Sequence, residues 1–196
     1  MRTTFLFLLS AIASVALVVT ACQDKAAGAP AITTEKDSAW FVKRGEYLVS
    51  SVGCDDCHSP KRMGAQGPEL IPELRLSGYP HDQQLPPADS NAVKNGWSLF
   101  GPGLTSAVGG WGISFAANIT SDETGIGNWS LEQFLTAIRK GKYKGNPEGR
   151  DLLPPMPWFA YKNMDDEDLK AIFTYLKTVQ PVSNVVPAPR PLSALK

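Results

Sequence analysis

Three stretches of the chain repeat apolar residues every three to four positions, a spacing typical of helices with one buried face. We predict helices at 38–52, 130–140 and 165–179. Their apolar stripes are Phe41, Tyr47, Leu48 and Val52; Leu131, Phe134, Leu135 and Ile138; and Leu169, Ile172, Phe173 and Leu176.

The ends of these helices carry capping signals. Ser38 is the predicted N-cap of the first helix, and Asp165 that of the third. Ser130 followed by Gln133 has the spacing of a capping box, and Gly141 is a typical stop after the second helix. These signals predict where the helices begin and end.

The segment 59–117 has no clear period and is interrupted by glycines and prolines. Its composition predicts loops with short helical turns. Strand-like alternation is scarce elsewhere, so the predicted fold class is all-α, with helices joined by long loops. The last residues, 183–196, contain several prolines and are predicted to form an extended tail.

The N-terminus predicts export from a bacterium. Arg2 precedes an apolar run at 5–19, typical of a signal peptide, although an uncleaved anchor is the alternative. Val19-Thr20-Ala21-Cys22 resembles the lipoprotein cleavage site. We therefore expect a signal peptide at 1–21, a lipidated Cys22 and a flexible tether at 22–37. The protein would be held at the periplasmic or cell-envelope face of a membrane.

Net charge and chain length limit the possible classes of function and the number of domains. The chain has 19 basic and 19 acidic residues, and this balance gives no indication of nucleic-acid binding. Removal of residues 1–21 would leave about 175 residues, enough for one ordinary domain with its own core, which we expect at 38–182. Any electrostatic attraction of a partner must come from local surface patches, which the sequence does not locate.

Cys54, Cys57 and His58 form a C-x-x-C-H pattern, which is typical of covalent haem attachment. The two thiols can add to the two vinyl groups of one porphyrin, and the adjacent imidazole can ligate its iron. A redox dithiol or a zinc site shares the C-x-x-C part. A zinc site needs further ligands, and because the other cysteine is Cys22 and the other histidine is His81, carboxylates would have to supply them. The pattern therefore predicts one covalently bound haem c.

Met156 is the candidate for the second axial ligand. It lies between Pro155 and Pro157, which favour a stiff extended loop that holds its thioether in place. The alternative is that Met156 fills the core. Met63 and Met164 are weaker candidates, and His81 is more typical of a surface histidine than of a ligand.

A polar, turn-rich run at 118–129 precedes the second helix. Asn118, Thr120 and Trp129 in this run are candidate hydrogen-bond donors to haem propionates. The alternative is that they cap turns.

An early C-x-x-C-H motif, a late Met-Pro loop and a terminal helix with Tyr175 resemble the class I cytochrome c fold. That resemblance implies that Gly45 packs against Phe173 or Tyr175 where the first and last helices cross. The runs 118–130 (NITSDETGIGNWS), 154–158 (PPMPW) and 164–182 (MDDEDLKAIFTYLKTVQPV) are similar to haem domains of the multihaem cytochrome subunits of membrane-bound alcohol and gluconate dehydrogenases. Those subunits carry three attachment motifs, whereas this chain has one.

The resemblance implies an exported electron-transfer protein rather than an enzyme. His58 and Met156 would be the axial ligands, and Met156 is the residue that matches the family's distal methionine. The expected partners are a redox donor and a redox acceptor, such as a dehydrogenase, a respiratory complex or an oxidase. The alternative is a haem enzyme or gas sensor with a labile sixth ligand.

Overall fold

The computed structural model describes residues 36–194. The predicted signal peptide, Cys22 and nearly all of the predicted tether lie outside these residues. Between 36 and 194, no helix combines the length and apolar character needed to cross a bilayer.

The described residues contain six α-helices. The three long ones correspond to the three stretches with helical spacing, and 3-10 turns connect several of the elements. The helices are α1 (Ser38–Ser51), α2 (Cys54–His58), α3 (Ser90–Lys94), α4 (Leu131–Lys140), α5 (Trp158–Tyr161) and α6 (Asp166–Leu176). The 3-10 turns are Pro72–Leu74, Pro102–Leu104, Tyr143–Gly145 and Leu192–Ala194.

Two small antiparallel sheets make the all-α prediction wrong, because the fold is mixed α and β. Both sheets form within 59–117, the segment that was predicted to be loop. One sheet pairs β1 (Lys61–Gly64) with β2 (Gly67–Leu70). The other has the order β3-β4-β5 and is formed by β3 (Leu99–Phe100), β4 (Ser106–Gly109) and β5 (Gly112–Phe115).

Glycines at the turns explain why these short segments can pair. Gly67 and Gly112 each begin the returning strand of a hairpin, with φ of 123° and 99°, a region that disfavours other residues. In the larger sheet, Val108 lies opposite Ile113 and both pack with Val93 of α3 in a small core of their own. The strands are too short for an alternating pattern to be recognised in the sequence.

Helices α1 and α6 cross at Gly45, which is buried. A Cβ atom at this position would lie 2.0 Å from the Ala171 carbonyl oxygen and 2.6 Å from Cβ of Tyr175. The predicted contact of Gly45 with Tyr175 is therefore confirmed. Phe173 points elsewhere and stacks against Phe134 of α4, with 5.4 Å between ring centroids.

The main core lies between α1, α4 and α6. Leu76 and Ile126, from the connecting segments, are fully buried in it. Its buried members are Leu48, Val49, Leu76, Ile126, Phe134, Leu169, Ala171, Ile172, Tyr175 and Leu176.

The predicted helix caps are only partly confirmed. Asp37, not Ser38, caps α1, since its carboxylate accepts from the Trp40 N–H at 2.8 Å. Ser130 caps α4 by accepting from the Gln133 N–H at 3.1 Å. The Gln133 side chain does not complete the box but donates to the Lys144 carbonyl at 2.9 Å. Asp165 is the N-cap residue of α6, without a side-chain hydrogen bond to the helix.

The C-terminal segment folds back onto the domain. Arg190 pairs with Ile113 of β5 through two backbone hydrogen bonds of 2.8 and 3.0 Å. The Asn184 side chain is buried and donates to the carbonyls of Ser77 and Tyr79 at 2.7 and 2.9 Å. This segment therefore contributes to the folded core as well as being extended.

Candidate haem-binding site

The two candidate attachment cysteines lie on one turn of α2, both half-buried. Gly53, with φ of 83°, turns the chain sharply between α1 and this helix. Burial, followed by the charge of Asp55, raises the pKa of Cys54 to about 12. Burial and the charge of Asp56 also raise the pKa of Cys57. Both side chains are therefore neutral thiols at neutral pH.

The imidazole of His58 is oriented by the backbone of the segment that follows β5. Its Nδ1 lies 2.7 Å from the Ala117 carbonyl oxygen, so Nδ1 carries the proton and donates it in this hydrogen bond. Burial lowers the pKa of His58. The ring is therefore neutral and leaves the Nε2 lone pair for a metal, which is the tautomer that a ligating histidine needs.

These residues fit a covalently held haem. Two neutral thiols three positions apart share one helix face, and a neutral imidazole follows them directly. Within 36–194, no group of three or more His, Cys, Asp and Glu side chains is arranged to hold a metal ion, as the zinc alternative would require.

A partly buried ion pair between Arg75 and Asp55 holds α2 in place. Arg75 donates to both carboxylate oxygens of Asp55, at 2.9 and 2.7 Å. The same guanidinium donates to the Tyr175 hydroxyl at 2.8 Å, which ties α2 to the C-terminal helix. Ser59 adds a hydrogen bond of 2.8 Å to Asp55. This network could not be predicted from the sequence, because the two charges are 20 residues apart and no local spacing pairs them.

Lys61 binds backbone carbonyls at the C-terminal end of α2. Its ammonium donates to the carbonyls of Asp55, Asp56 and Ser59, at 3.0, 2.7 and 2.9 Å. A cation at the carbonyls that end the helix interacts favourably with the negative end of the helix dipole. A lysine just after a helix is the kind of local signal that could have identified this contact in the sequence.

Met156 is half-buried on a loop that is fixed at several points. The Leu152 N–H donates to the Gly141 carbonyl at 2.6 Å, where the loop begins. The Ser114 hydroxyl of β5 donates to the Pro154 carbonyl, also at 2.6 Å. These bonds restrain the loop, but it turns at Pro154 and Pro155 instead of running extended as predicted, and the Met156 N–H donates to the Leu153 carbonyl at 3.3 Å.

The end of the same loop returns to Gly141. The Trp158 indole covers this glycine so closely that a Cβ atom there would lie 2.4 Å from the ring. Tyr161, at the end of α5, then donates to the Val52 carbonyl at 2.7 Å. Burial raises the pKa of Tyr161 to about 12, and the cysteines add to this rise. The segment after Met156 is thus attached to the residues just before Cys54.

Asn118 and Thr120 are buried, and their polar atoms have protein partners. The Asn118 amide nitrogen donates to the Thr124 hydroxyl and to the Val182 carbonyl, at 3.0 and 2.8 Å. Its oxygen accepts from the N–H and the hydroxyl of Thr120 at 3.0 and 2.8 Å. These bonds favour the turn-capping alternative for both residues.

The remaining sequence candidates lie in different surroundings. Trp129 is half-buried against the main core, as is Met164. His81 is exposed, with its Nδ1 3.2 Å from the Asn184 side-chain oxygen, and Met63 is 78% exposed. These positions suit the surface role for His81, and the exposure of Met63 makes it an unsuitable ligand.

No family model matches the chain. Among curated proteins it is similar to the fructose dehydrogenase cytochrome subunit of Gluconobacter japonicus, with 30% identity over 151 residues, which is 76% of this chain and 23% of the relative. The gluconate 2-dehydrogenase cytochrome c subunit of Pantoea cypripedii is 31% identical over 78% of this chain and 26% of its own length. The cytochrome c subunit of the quinone-type alcohol dehydrogenase of Gluconobacter oxydans is 29% identical over 73% of this chain and 22% of its own length. The chain thus spans about a quarter of each of these relatives.

Proposed function

Because the chain is homologous to cytochrome c subunits of dehydrogenases, we propose that it is an exported monohaem cytochrome c that carries single electrons. Its donor or acceptor would be a dehydrogenase or a component of a respiratory chain. Cytochrome subunits of this kind pass electrons on rather than transforming the substrate. The chain would accordingly be an electron carrier and not itself an enzyme.

Cys54 and Cys57 would hold the haem covalently, with His58 and Met156 as axial ligands. The observation that carries this proposal is the hydrogen bond of 2.7 Å from His58 Nδ1 to the Ala117 carbonyl, because it fixes the neutral imidazole in the ligating tautomer. The bound haem would supply an iron that changes between the ferric and ferrous states. Methionine ligation raises the potential of such an iron.

The protein would keep the sixth position closed by restraining the Met156 loop. The hydrogen bonds at Pro154 and Leu152 reduce the freedom of that loop before any ligand bond forms. A thioether is a weak ligand, so this restraint favours a bound methionine over a labile one. Trp129 is the candidate among the three polar residues for a propionate contact, since Asn118 and Thr120 already have protein partners.

Met156→Ala should convert the closed site into an open one. The expected result is loss of the ferric sulfur-to-iron charge-transfer band and a ready carbon monoxide adduct of the ferrous protein, neither of which the wild type should show. Optical spectra of both oxidation states, with and without carbon monoxide, provide the measurement. Met63→Ala is the matched control, because Met63 is largely exposed and should leave the spectra unchanged. A carbon monoxide adduct of the wild type would support the gas-sensor or haem-enzyme alternative.

We further propose that Cys22 carries lipid and holds the haem domain at the membrane through the tether 22–37. Stable anchoring requires more than one acyl chain, which lipoprotein processing supplies. Cys22→Ser should move most of the haem protein from the membrane to the soluble exported fraction, as measured by haem staining of the two fractions. If the variant stays with the membrane to the same extent as the wild type, lipid at Cys22 is not the anchor.

A further inference from the structure

Positive charge is concentrated in the residues around Met156. The 24 residues from Arg139 to Lys162 contain six basic and two acidic side chains, whereas the other described residues contain ten basic and fifteen acidic ones. One continuous segment therefore carries a charge of plus four on a domain that is otherwise negative, at minus five.

Most of this positive charge has no carboxylate close to it. Lys142 pairs with Asp151 at 2.8 Å, and Arg139 pairs with Asp166. No carboxylate of residues 36–194 lies within 4.0 Å of the basic groups of the four remaining residues. These four exposed cations are Lys140, Lys144, Arg150 and Lys162. The nearest acidic side chains along the chain are Glu148, Asp151, Asp165 and Asp166, of which Asp151 pairs with Lys142 and Asp166 with Arg139.

Aromatic rings hold three of these cations in place. The Arg150 guanidinium lies 3.7 Å from the centroid of the Tyr143 ring, and the Lys144 ammonium lies 5.7 Å from the same centroid. Lys162 lies 5.8 Å from the centroid of the Trp158 ring. Cations near aromatic faces lose less freedom when a partner arrives, because part of their ordering has already occurred.

This charged surface borders the Met156 loop. Lys144 and Arg150 lie in the segment 142–151, which an antiparallel bridge between Lys142 and Asp151 closes. This segment is joined to the loop through the Leu152 hydrogen bond to Gly141, and Trp158 covers the same glycine. Phe159 is 62% exposed next to Trp158. Phe159 is thus an exposed apolar residue with cationic side chains nearby, three positions from Met156, the proposed sixth ligand of the iron.

We propose that this surface, the basic face (Lys140, Tyr143, Lys144, Arg150 and Lys162), docks an acidic surface of a redox partner. The inference rests on the proposed electron-transfer function and adds the kind of partner. Complementary charge accelerates encounter without demanding tight binding, which suits a carrier that must also leave. An exposed apolar centre with a charged rim is the usual composition of such interfaces.

An anionic membrane surface would also attract cations beside aromatic rings. The protein partner is favoured by position, because the basic face borders the loop of the proposed axial methionine. A membrane covering it would block the approach of a partner to this side of the haem domain. Binding of the basic face to an anionic membrane would therefore overturn the proposal.

Stopped-flow oxidation of the ferrous holoprotein tests the basic face with two small redox reagents of opposite charge. Hexacyanoferrate(III) is a trianion and stands in for an acidic partner, whereas tris(phenanthroline)cobalt(III) is a cation. At low ionic strength, Lys144→Glu combined with Arg150→Glu should slow oxidation by the anion about fivefold. The same variant should accelerate oxidation by the cation, and added salt should reduce both effects.

Lys43→Glu combined with Lys94→Glu is the control, because it makes the same change in net charge at exposed residues outside the basic face. Equal effects of the two double variants would show that net charge alone matters and would overturn the proposal. A basic-face variant that leaves both rates unchanged would do the same. A protein that neither reagent oxidises would instead contradict the proposed function itself.

The membrane outcome is tested with the Cys22→Ser holoprotein and vesicles of phosphatidylcholine with one third phosphatidylglycerol. We expect no sedimentation with these vesicles at physiological salt. Binding that disappears in the Lys144→Glu, Arg150→Glu variant would identify a lipid surface as the occupant and overturn docking of a redox protein.

Discussion

Gly45→Ala should destabilise the domain by about 2–3 kcal/mol, although alanine is the better helix former by about 1 kcal/mol. The new Cβ would lie 2.0 Å from the Ala171 carbonyl oxygen, far inside contact distance, so α1 and α6 would have to separate. Separation would open the largest contact in the main core. Urea unfolding of the holoprotein, followed by circular dichroism, gives the free energy of unfolding.

Gly110→Ala is the matched control for this substitution. No atom lies within 4 Å of a Cβ built at Gly110, and its φ is not in the positive range. We expect a change of less than about 0.5 kcal/mol there. An increase in stability for Gly45→Ala would mean that helix propensity dominates and that the crossing is looser than the structure indicates.

Arg75→Leu should cost about 2–3 kcal/mol at neutral pH. The variant would leave Asp55 charged and largely buried, with 14% of its side chain exposed, and would remove the contacts to Tyr175 and Ser50. Because Asp55 lies between the two attachment cysteines, we also expect looser packing of α2. Urea unfolding of the wild type and the variant at pH 7 measures the loss.

The pH dependence of this loss identifies the ion pair as its cause. Burial by itself would raise the pKa of Asp55, but hydrogen bonds from Arg75 and Ser59 and the charges of Arg75 and Lys61 hold it below its ordinary value of 3.8. A depressed pKa stabilises the fold above 3.8, and this contribution disappears as the pH falls through the folded-state value. In Arg75→Leu we expect the effect of burial to dominate, so the pKa of Asp55 rises. Asp55 is then protonated in mild acid, which removes the cost of burying its charge. The difference in stability between wild type and variant should therefore shrink between pH 7 and pH 4.

Arg62→Leu is the control for loss of a positive charge. Arg62 lies 4.0 Å from Glu69, and both side chains are more than half exposed, so little stability should be lost. A difference between wild type and Arg75→Leu that stays constant from pH 7 to pH 4 would show that lost packing, not the charge of Asp55, is responsible.

The parts of the molecule that follow from local chemistry were predictable from the sequence. The amphipathic stripes located α1, α4 and α6, and the Gly45–Tyr175 contact was expected from resemblance to a known fold. The cap of α1 was misplaced by one residue, because Asp37 and Ser38 are both good capping residues and only the backbone conformation distinguishes them.

The sheets and the polar networks were not predictable in this way. Strands of two to four residues are too short to show alternation, and their hairpins depend on glycines in a segment whose many glycines indicated loop. The Arg75–Asp55 pair and the Asn184 contacts join residues far apart in the chain. Such pairs depend on the finished fold, and one sequence does not reveal them.

The contacts that close the domain link the early part of the described residues to their late part. Arg44 binds Asp168 across 124 positions, Arg75 binds Tyr175 across 100, and Asn184 binds Ser77 across 107. During synthesis, Cys54 and Cys57 therefore emerge more than a hundred residues before the last of these partners. The long loops between them also make closure slow. The proposed attachment segment would thus pass through an interval in which its thiols are accessible, and the interval would end when the residues from Asp168 to Asn184 dock.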